Sequence, residues 1–291
     1  MANETDRLSA LLEHFGARAH LFHAGPLCGA THFAAQPGRG FLHVMRNGSM
    51  SVSHRQDGRR RRRIEVCEPS LLFYPRPLTH DFHNEPTHGA EFACATIEFD
   101  GGDLHPLARA LPAVIVLPLR RVAGLESTLA LLFAETDQVR CGQRLLADRL
   151  FDVLLVQLLR WLLDHPTEND LPIGLLTGLA HPRLAKALVA VHEKPGDAWN
   201  LERMAAMAGM SRSAFAAAFK ANVDVTPGDY LVQWRLSLAQ RRLRDGDSIK
   251  AIAHDLGYAN ASALSRIFTQ KIGISPREWT VQEASATDSA R

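Results

Sequence analysis

Asn200-Leu-Glu-Arg-Met-Ala-Ala-Met-Ala-Gly-Met-Ser-Arg-Ser-Ala-Phe-Ala-Ala-Ala-Phe219 runs on to Thr226-Pro227, and the same layout returns forty-odd residues later. The second copy is Ser248-Ile-Lys-Ala-Ile-Ala-His-Asp-Leu-Gly-Tyr-Ala-Asn-Ala-Ser-Ala-Leu-Ser-Arg-Ile-Phe268, followed by Ser275-Pro276. Each copy reads as a short amphipathic helix, a glycine turn, a polar cap and a second amphipathic helix. That is a helix-turn-helix, the unit that lays its second helix in the DNA major groove. In the first copy Leu201, Met204, Ala205 and Ala208 share a face, Gly209 reverses the chain, Ser211 caps, and Phe215 and Phe219 point inward. In the second, Ile249, Ile252, Ala253 and Leu256 precede Gly257, Asn260 caps, and Leu264, Ile267 and Phe268 form the buried stripe. A single copy would be an ordinary helical hairpin as readily as a DNA reader. Two copies in the same order argue for the reader.

Between them Tyr230, Leu231, Trp234, Leu238 and Leu243 keep helical spacing, which predicts one long helix acting as a spacer. Two second helices on such a spacer suit major-groove segments about 34 Å apart.

The tail resembles the DNA-binding domain of the AraC/XylS family of transcription regulators. The residues carrying the resemblance include Trp199, Leu201, Ala205 to Gly209, Phe215, Phe219, Pro227, Tyr230-Leu231, Trp234-Arg235, Ile252-Ala253, Gly257-Tyr258, Phe268 and Ser275-Pro276. The resemblance implies promoter DNA as a partner, a homodimer, contact with RNA polymerase, and a sensor upstream. The expected DNA-facing set is Ser211, Arg212, Ser213, Ala216 and Lys220 in the first unit, and Asn260, Ser262, Ser265, Arg266 and Gln270 in the second. Arg212 and Arg266 suit guanine, where a bidentate contact is worth about 1–3 kcal/mol. Lys220, Arg235, Lys250 and Lys271 suit phosphates. Any one of them is also readable as a solvated surface charge.

Composition fits without deciding. The 291 residues suggest more than one domain, 46% hydrophobic residues suffice for packed cores, and a net charge of +2 does not by itself imply nucleic acid. The start, Met1 to Asp6, is polar and lacks a leader pattern, and the longest apolar run is shorter than the ~20 residues of a membrane span. The expectation is a cytoplasmic protein with no membrane partner, in which four cysteines are free thiols.

The first hundred residues read as short alternating strands. Phe41 to Met45 runs into Asn47-Gly48, a hairpin signal, and Met50 to His54 follows. Ile64 to Cys67 and Ser70 to Tyr74 flank Glu68-Pro69, and Phe92 to Phe99 alternates again. The expected fold class is α+β: an N-terminal antiparallel β-barrel or jelly roll, a helical middle, and an all-α C-terminal domain with two helix-turn-helix units. Gly25 to Cys28, His43-Val44, Gly48, Leu71 to Pro75, His80 and the strand around Cys94 resemble a cupin domain of the kind attached to such regulators. The paired His and Glu of a metal cupin's first motif are missing, and Pro69-Ser70 replaces its usual Gly-Asp.

Three signals compete for this sensor. Cys28 and Cys94 could join on oxidation if their Cα atoms lie within about 7 Å; otherwise they are small buried hydrophobes. His32, His43, His80 and His83 are a candidate set for a divalent transition metal. A small organic effector in the barrel mouth is the third. The arginines Arg59 to Arg63 are expected in a mobile hairpin loop. The expected boundaries are 1–120 for the sensor, 121–170 for a helical dimerisation region, 171–280 for the DNA-binding domain and 281–291 for a disordered tail. Within the middle, Leu146, Leu150, Val153, Leu154, Gln157, Leu158, Trp161 and Leu162 form a wide apolar face, the candidate dimer interface. The alternative class is a metal-dependent cupin enzyme with a helical appendage; a third reading is an adaptor that binds polymerase more than DNA.

Overall fold

The computed structural model describes residues 5–56, 60–85, 89–102, 105–168 and 171–289. The chain forms two compact units, Phe15–Pro172 and a discontinuous one made of Met1–His14 with Ile173–Arg291. The opening helix α1 (Ser9–His14) belongs to the second of these.

The first unit holds the strands β1 (Ala17–Leu27), β2 (Ala30–Phe33), β3 (Arg39–Asn47), β4 (Met50–Gln56), β5 (Arg60–Val66), β6 (Ser70–Tyr74), β7 (His80–Asn84), β8 (Ala90–Phe99) and β9 (Ile115–Pro118). One antiparallel sheet has the order β1-β8-β3-β6-β9, the other β2-β7-β4-β5. The pairs β1·β8, β2·β7, β3·β6 and β4·β5 are nested, as in a long hairpin folded over on itself. This is jelly-roll pairing. No ladder among the described residues joins the sheets, so they face each other without closing into a barrel. Phe41, Met45, Leu72, Tyr74, Phe92 and Cys94 from one sheet and Phe33, Met50, Val52, Val66 and Phe82 from the other fill the space between them.

The Asn47-Gly48 turn does not make the expected hairpin. β3 pairs with β6 and β8, and β4 pairs with β5 and β7, so the turn carries the chain from one sheet to the other. Gly48 has φ 91°, and a Cβ there would stand 2.8 Å from the Cα of Ala90. Both the turn and the close approach require glycine. The arginine run is also not a loop: Arg60 to Arg63 lie in β5, opposite Gln56 to Ser53, and Arg59 lies outside the described residues. β5 is an edge of its sheet, and a charged edge resists pairing with another chain.

α2 (Pro106–Ala110) lies between β8 and β9, and after β9 come α3 (Leu125–Thr136) and α4 (Gln143–Asp164), which pack on one another, with α4 laid on β1. Phe151, Leu154, Leu155, Leu158, Leu159 and Leu162 of α4 are buried. Leu146 and Val153, on the face expected to meet a second copy, are exposed.

The second unit is helical: α5 (Leu175–Ala180), α6 (Leu184–Glu193), α7 (Leu201–Met207), α8 (Arg212–Val223), α9 (Pro227–Arg244), α10 (Ile249–Asp255), α11 (Ala261–Ile272) and α12 (Pro276–Ser289). α12 runs through most of the segment expected to be a disordered tail. Leu8 and Leu11 are buried where α1 packs on α6, His14 Nε2 lies 3.0 Å from the carbonyl of His192, and Arg241 donates to the carbonyl of His14.

Candidate functional site

The two helix-turn-helix units are built alike. Asn200 Oδ1 caps α7 by accepting from Arg203 N at 2.8 Å, and Ser248 Oγ caps α10 by accepting from Ala251 N at 3.3 Å. At the turns, Met210 N donates to Ala205 O at 2.9 Å and Gly209 N to Ala206 O at 3.0 Å; Tyr258 N donates to Ala253 O at 2.9 Å and Gly257 N to His254 O at 3.2 Å. Each pair is a Schellman closure around a left-handed glycine, φ 61° at Gly209 and 74° at Gly257. Ser211 Oγ then caps α8 through Ala214 N, and Asn260 Oδ1 caps α11 through Ala263 N. These two polar side chains of the expected DNA-facing set thus have a structural task.

Phe215, Phe219, Leu264 and Phe268 are buried, which fixes the outward faces of α8 and α11. Arg212, Ser213 and Lys220 are exposed on α8, with Ala216 half-buried. Ser262, Arg266 and Gln270 are exposed on α11, with Ser265 half-buried. Arg212, Arg266 and Lys250 form no ion pair among the described residues, whereas Lys220 and Lys271 pair with Asp224 and Asp229, each at 3.3 Å. Exposed pairs of this kind are worth about 0–1 kcal/mol and open readily to a phosphate. Between the units, α9 spans 18 residues, about 27 Å at 1.5 Å per residue.

Arg235 departs from the phosphate role expected for it. Its Nε donates to Pro195 O at 2.7 Å and its Nη2 to Asp197 O at 2.9 Å, and its guanidinium lies 5.5 Å over the Tyr258 ring. Partial burial lowers its pKa. The side chain latches α9 to the loop before α7 and to the second turn, which spacing along the helix could not reveal.

In the sheet unit the strand period sorts the four candidate histidines into two pairs. His43 and His80 are buried, with their Nε2 atoms 3.0 Å apart. His32 and His83 lie on the opposite side of their strands, the first 2.6 Å from Asp81 Oδ1, the second 2.9 Å from Ser53 Oγ. The set therefore does not converge, and among the described residues no group of three metal-ligating side chains does. His54, unremarked in the sequence, sits opposite His80 on β4. His80 Nδ1 faces the carbonyl of Leu78 at 2.9 Å, so it donates there, and His80 Nε2 accepts from His43 Nε2. His43 Nδ1 is then a buried acceptor without a partner. Burial lowers both histidines, His80 to about 4.

The cysteines are also apart. Cys94 lies opposite His23 of β1, and Cys28 is five residues further on, about 16 Å of extended chain. That is well beyond the ~7 Å reach of a disulfide. Cys28 is exposed; Cys94 is buried, and burial pushes its thiol pKa up, away from the reactive thiolate.

Comparison with known proteins agrees with this division. Residues 6–164, more than half of the chain, match the cupin family model, and residues 204–282 match a helix-turn-helix domain model. A putative AraC-like transcription regulator of Streptomyces antibioticus is 36% identical over 172 residues, 58% of this chain and 56% of that one. The transcriptional regulator AlkR of Acinetobacter baylyi is 34% identical over 188 residues, 62% of this chain and 60% of that one. The matches span little more than half the length of these relatives. The crystal structure of the DNA-binding domain of AdpA in complex with a target DNA aligns at 27% identity and a TM-score of 0.34, covering 35% of this chain and 93% of that one. With the cupin model over its sheets and the helix-turn-helix model over its tail, the chain belongs to the AraC/XylS family of transcription regulators with an N-terminal cupin domain.

Proposed function

We propose that this protein binds promoter DNA sequence-specifically through α8 and α11, and that its sheet unit senses a signal that alters this binding. The supporting observation is the matched pair of helix-turn-helix units, with equivalent caps and turns and with Arg212 and Arg266, on the outward faces, forming no ion pair among the described residues. An arginine on such a face reads guanine, and Lys250 supplies sequence-independent phosphate attraction. The relatives named above are transcription regulators, which favours this reading over an enzyme. Selection from random duplexes tests it: enrichment of a common sequence, bound more weakly as salt rises, is expected. Recovery of no sequence would favour the polymerase adaptor.

The working form is a cytoplasmic homodimer acting with RNA polymerase. No helix among the described residues is long and apolar enough to cross a membrane. On α4, Leu146 and Val153 are 49% and 45% exposed and Leu150 lies between them, an apolar stripe at helical spacing suited to a second copy. Sedimentation of wild type and Val153→Glu tests this: the variant is expected to lose the dimer.

A further inference from the structure

The sheet unit carries an open cleft of about 560 Å³. Three aromatic rings floor it. Phe22 lies 6.1 Å from both Phe33 and Phe41, edge-on to each, and Phe33 lies 6.2 Å from Phe41. Phe22 is 45% exposed, an apolar ring of the kind that lines ligand sites. A planar aromatic guest would extend this edge-to-face arrangement, which rewards aromatic over aliphatic surface.

The rim is charged, and most of its charge is already matched. Arg39 meets Glu98 at 2.6 Å, His20 stands 3.7 Å from Glu98 and 3.5 Å from Asp148, and His32 meets Asp81 at 2.6 Å. Arg144, in the first turn of α4, lines the same cleft and pairs with no carboxylate among the described residues. Its guanidinium presents a planar fork of donors, the geometry that fits a carboxylate.

We propose that this cleft binds a small aryl carboxylate, the ring on Phe22, Phe33 and Phe41 and the carboxylate on Arg144. A neutral ligand would leave Arg144 unmatched, a dianion would meet Glu98, and an inorganic anion would leave the aromatic floor bare. The three floor rings also stand 4.8–6.2 Å from the ring of His43, so an occupant alters the surroundings of the buried histidine pair. The inference deepens the sensor reading given above and rests on it for any consequence at DNA.

The test is calorimetric titration of the full chain with 2-naphthoate and with its neutral isostere 2-naphthamide. Saturable binding of the carboxylate is expected, with the amide weaker by about tenfold or more, the loss of a charge-assisted hydrogen bond. Arg144→Ala should erase that difference, and Phe22→Ala should weaken both ligands alike. Histidine ring signals in a ¹⁵N-labelled sample should shift at His43 on saturation. Equal affinity for acid and amide, undiminished acid binding by Arg144→Ala, or no saturation by either ligand overturns the proposal. Affinity for the selected duplex is then measured with and without 2-naphthoate. If the cleft fills and that affinity is unchanged, the site stands and the sensor reading falls.

Discussion

Asp148 accepts a 2.6 Å hydrogen bond from the backbone N–H of Leu21. One turn along α4, Asp152 does the same for Ala19 at 2.8 Å. β1 is the edge of its sheet, and the two carboxylates cover donors that an edge strand would otherwise offer to another chain. Replacing both by alanine is expected to destabilise the sheet unit by about 1–3 kcal/mol per lost partner. Urea denaturation measures this; a midpoint unchanged in the double variant would mean that water serves these donors equally well.

At DNA, Arg212→Ala and Arg266→Ala should each weaken binding by about 1–3 kcal/mol and relax the preference at one base position. Lys250→Ala should weaken all sequences alike and lower the salt slope by about one. Fluorescence titrations at several salt concentrations separate the two behaviours. A uniform loss with Arg212→Ala would reassign that residue to the phosphate backbone.

Arg235→Lys is expected to act on folding. A lysine cannot span the carbonyls of Pro195 and Asp197 with a planar fork, so the latch opens. The thermal midpoint of the variant should fall, while its DNA affinity at low temperature, with the protein folded, stays near that of wild type. The opposite pattern would restore the phosphate role.

The two turn glycines should not tolerate alanine equally. Both are left-handed, a strain of about 1–2 kcal/mol for a residue with a Cβ. Around Gly209 the space is open, but a Cβ on Gly257 would stand 2.1 Å from the carbonyl oxygen of Gly196. Gly257→Ala is therefore expected to cost clearly more than Gly209→Ala in denaturant melts. Equal costs would mean that the Gly196 loop gives way freely.

The buried imidazoles set a pH dependence. Burial lowers His80 and His105 to about 4 and His192 to about 3, and it holds His43 low as well. An unfolded histidine takes a proton near pH 6.5, which these folded ones refuse. Stability is thus full above about pH 6.5 and falls as pH drops towards 4, by up to about 1.4 kcal/mol per pH unit for each histidine. Chemical denaturation at pH 7.5, 6 and 5 checks the slope, and His105→Gln should flatten it. A slope unaltered by that change would place the acid sensitivity elsewhere.

What could be read from the sequence follows the range of the interactions. In the helix-turn-helix units the capping and turn bonds are local: Asn200 to Arg203, Met210 to Ala205, Asn260 to Ala263. Periodicity, caps and turn glycines therefore placed the helices and most of their inward positions, although Leu201, expected inward, is 39% exposed. The sheets are held by distant partners, β1 with β8 and β2 with β7. A turn such as Asn47-Gly48 looks the same whether it closes a hairpin or crosses between sheets. For the same reason, four histidines alike in the sequence separated into an inner and an outer pair. Arg144 and Phe22, far apart in sequence and unmarked by any motif, line one cleft only after folding.

α1 packs within the helical unit, while the strand after it opens the sheet unit, so the backbone passes between the two at His14–Phe15 and again at Pro172–Ile173. A protease nick at Pro172–Ile173 breaks the covalent link to residues 173–291, but α1, still joined to the sheet unit, stays packed among those helices. A fragment beginning at residue 173 leaves behind Leu8 and Leu11 and bares the apolar surface they cover. The DNA-binding half, produced alone, is thus expected to lack part of its own core and to regain it when a peptide spanning residues 5–14 is supplied in trans.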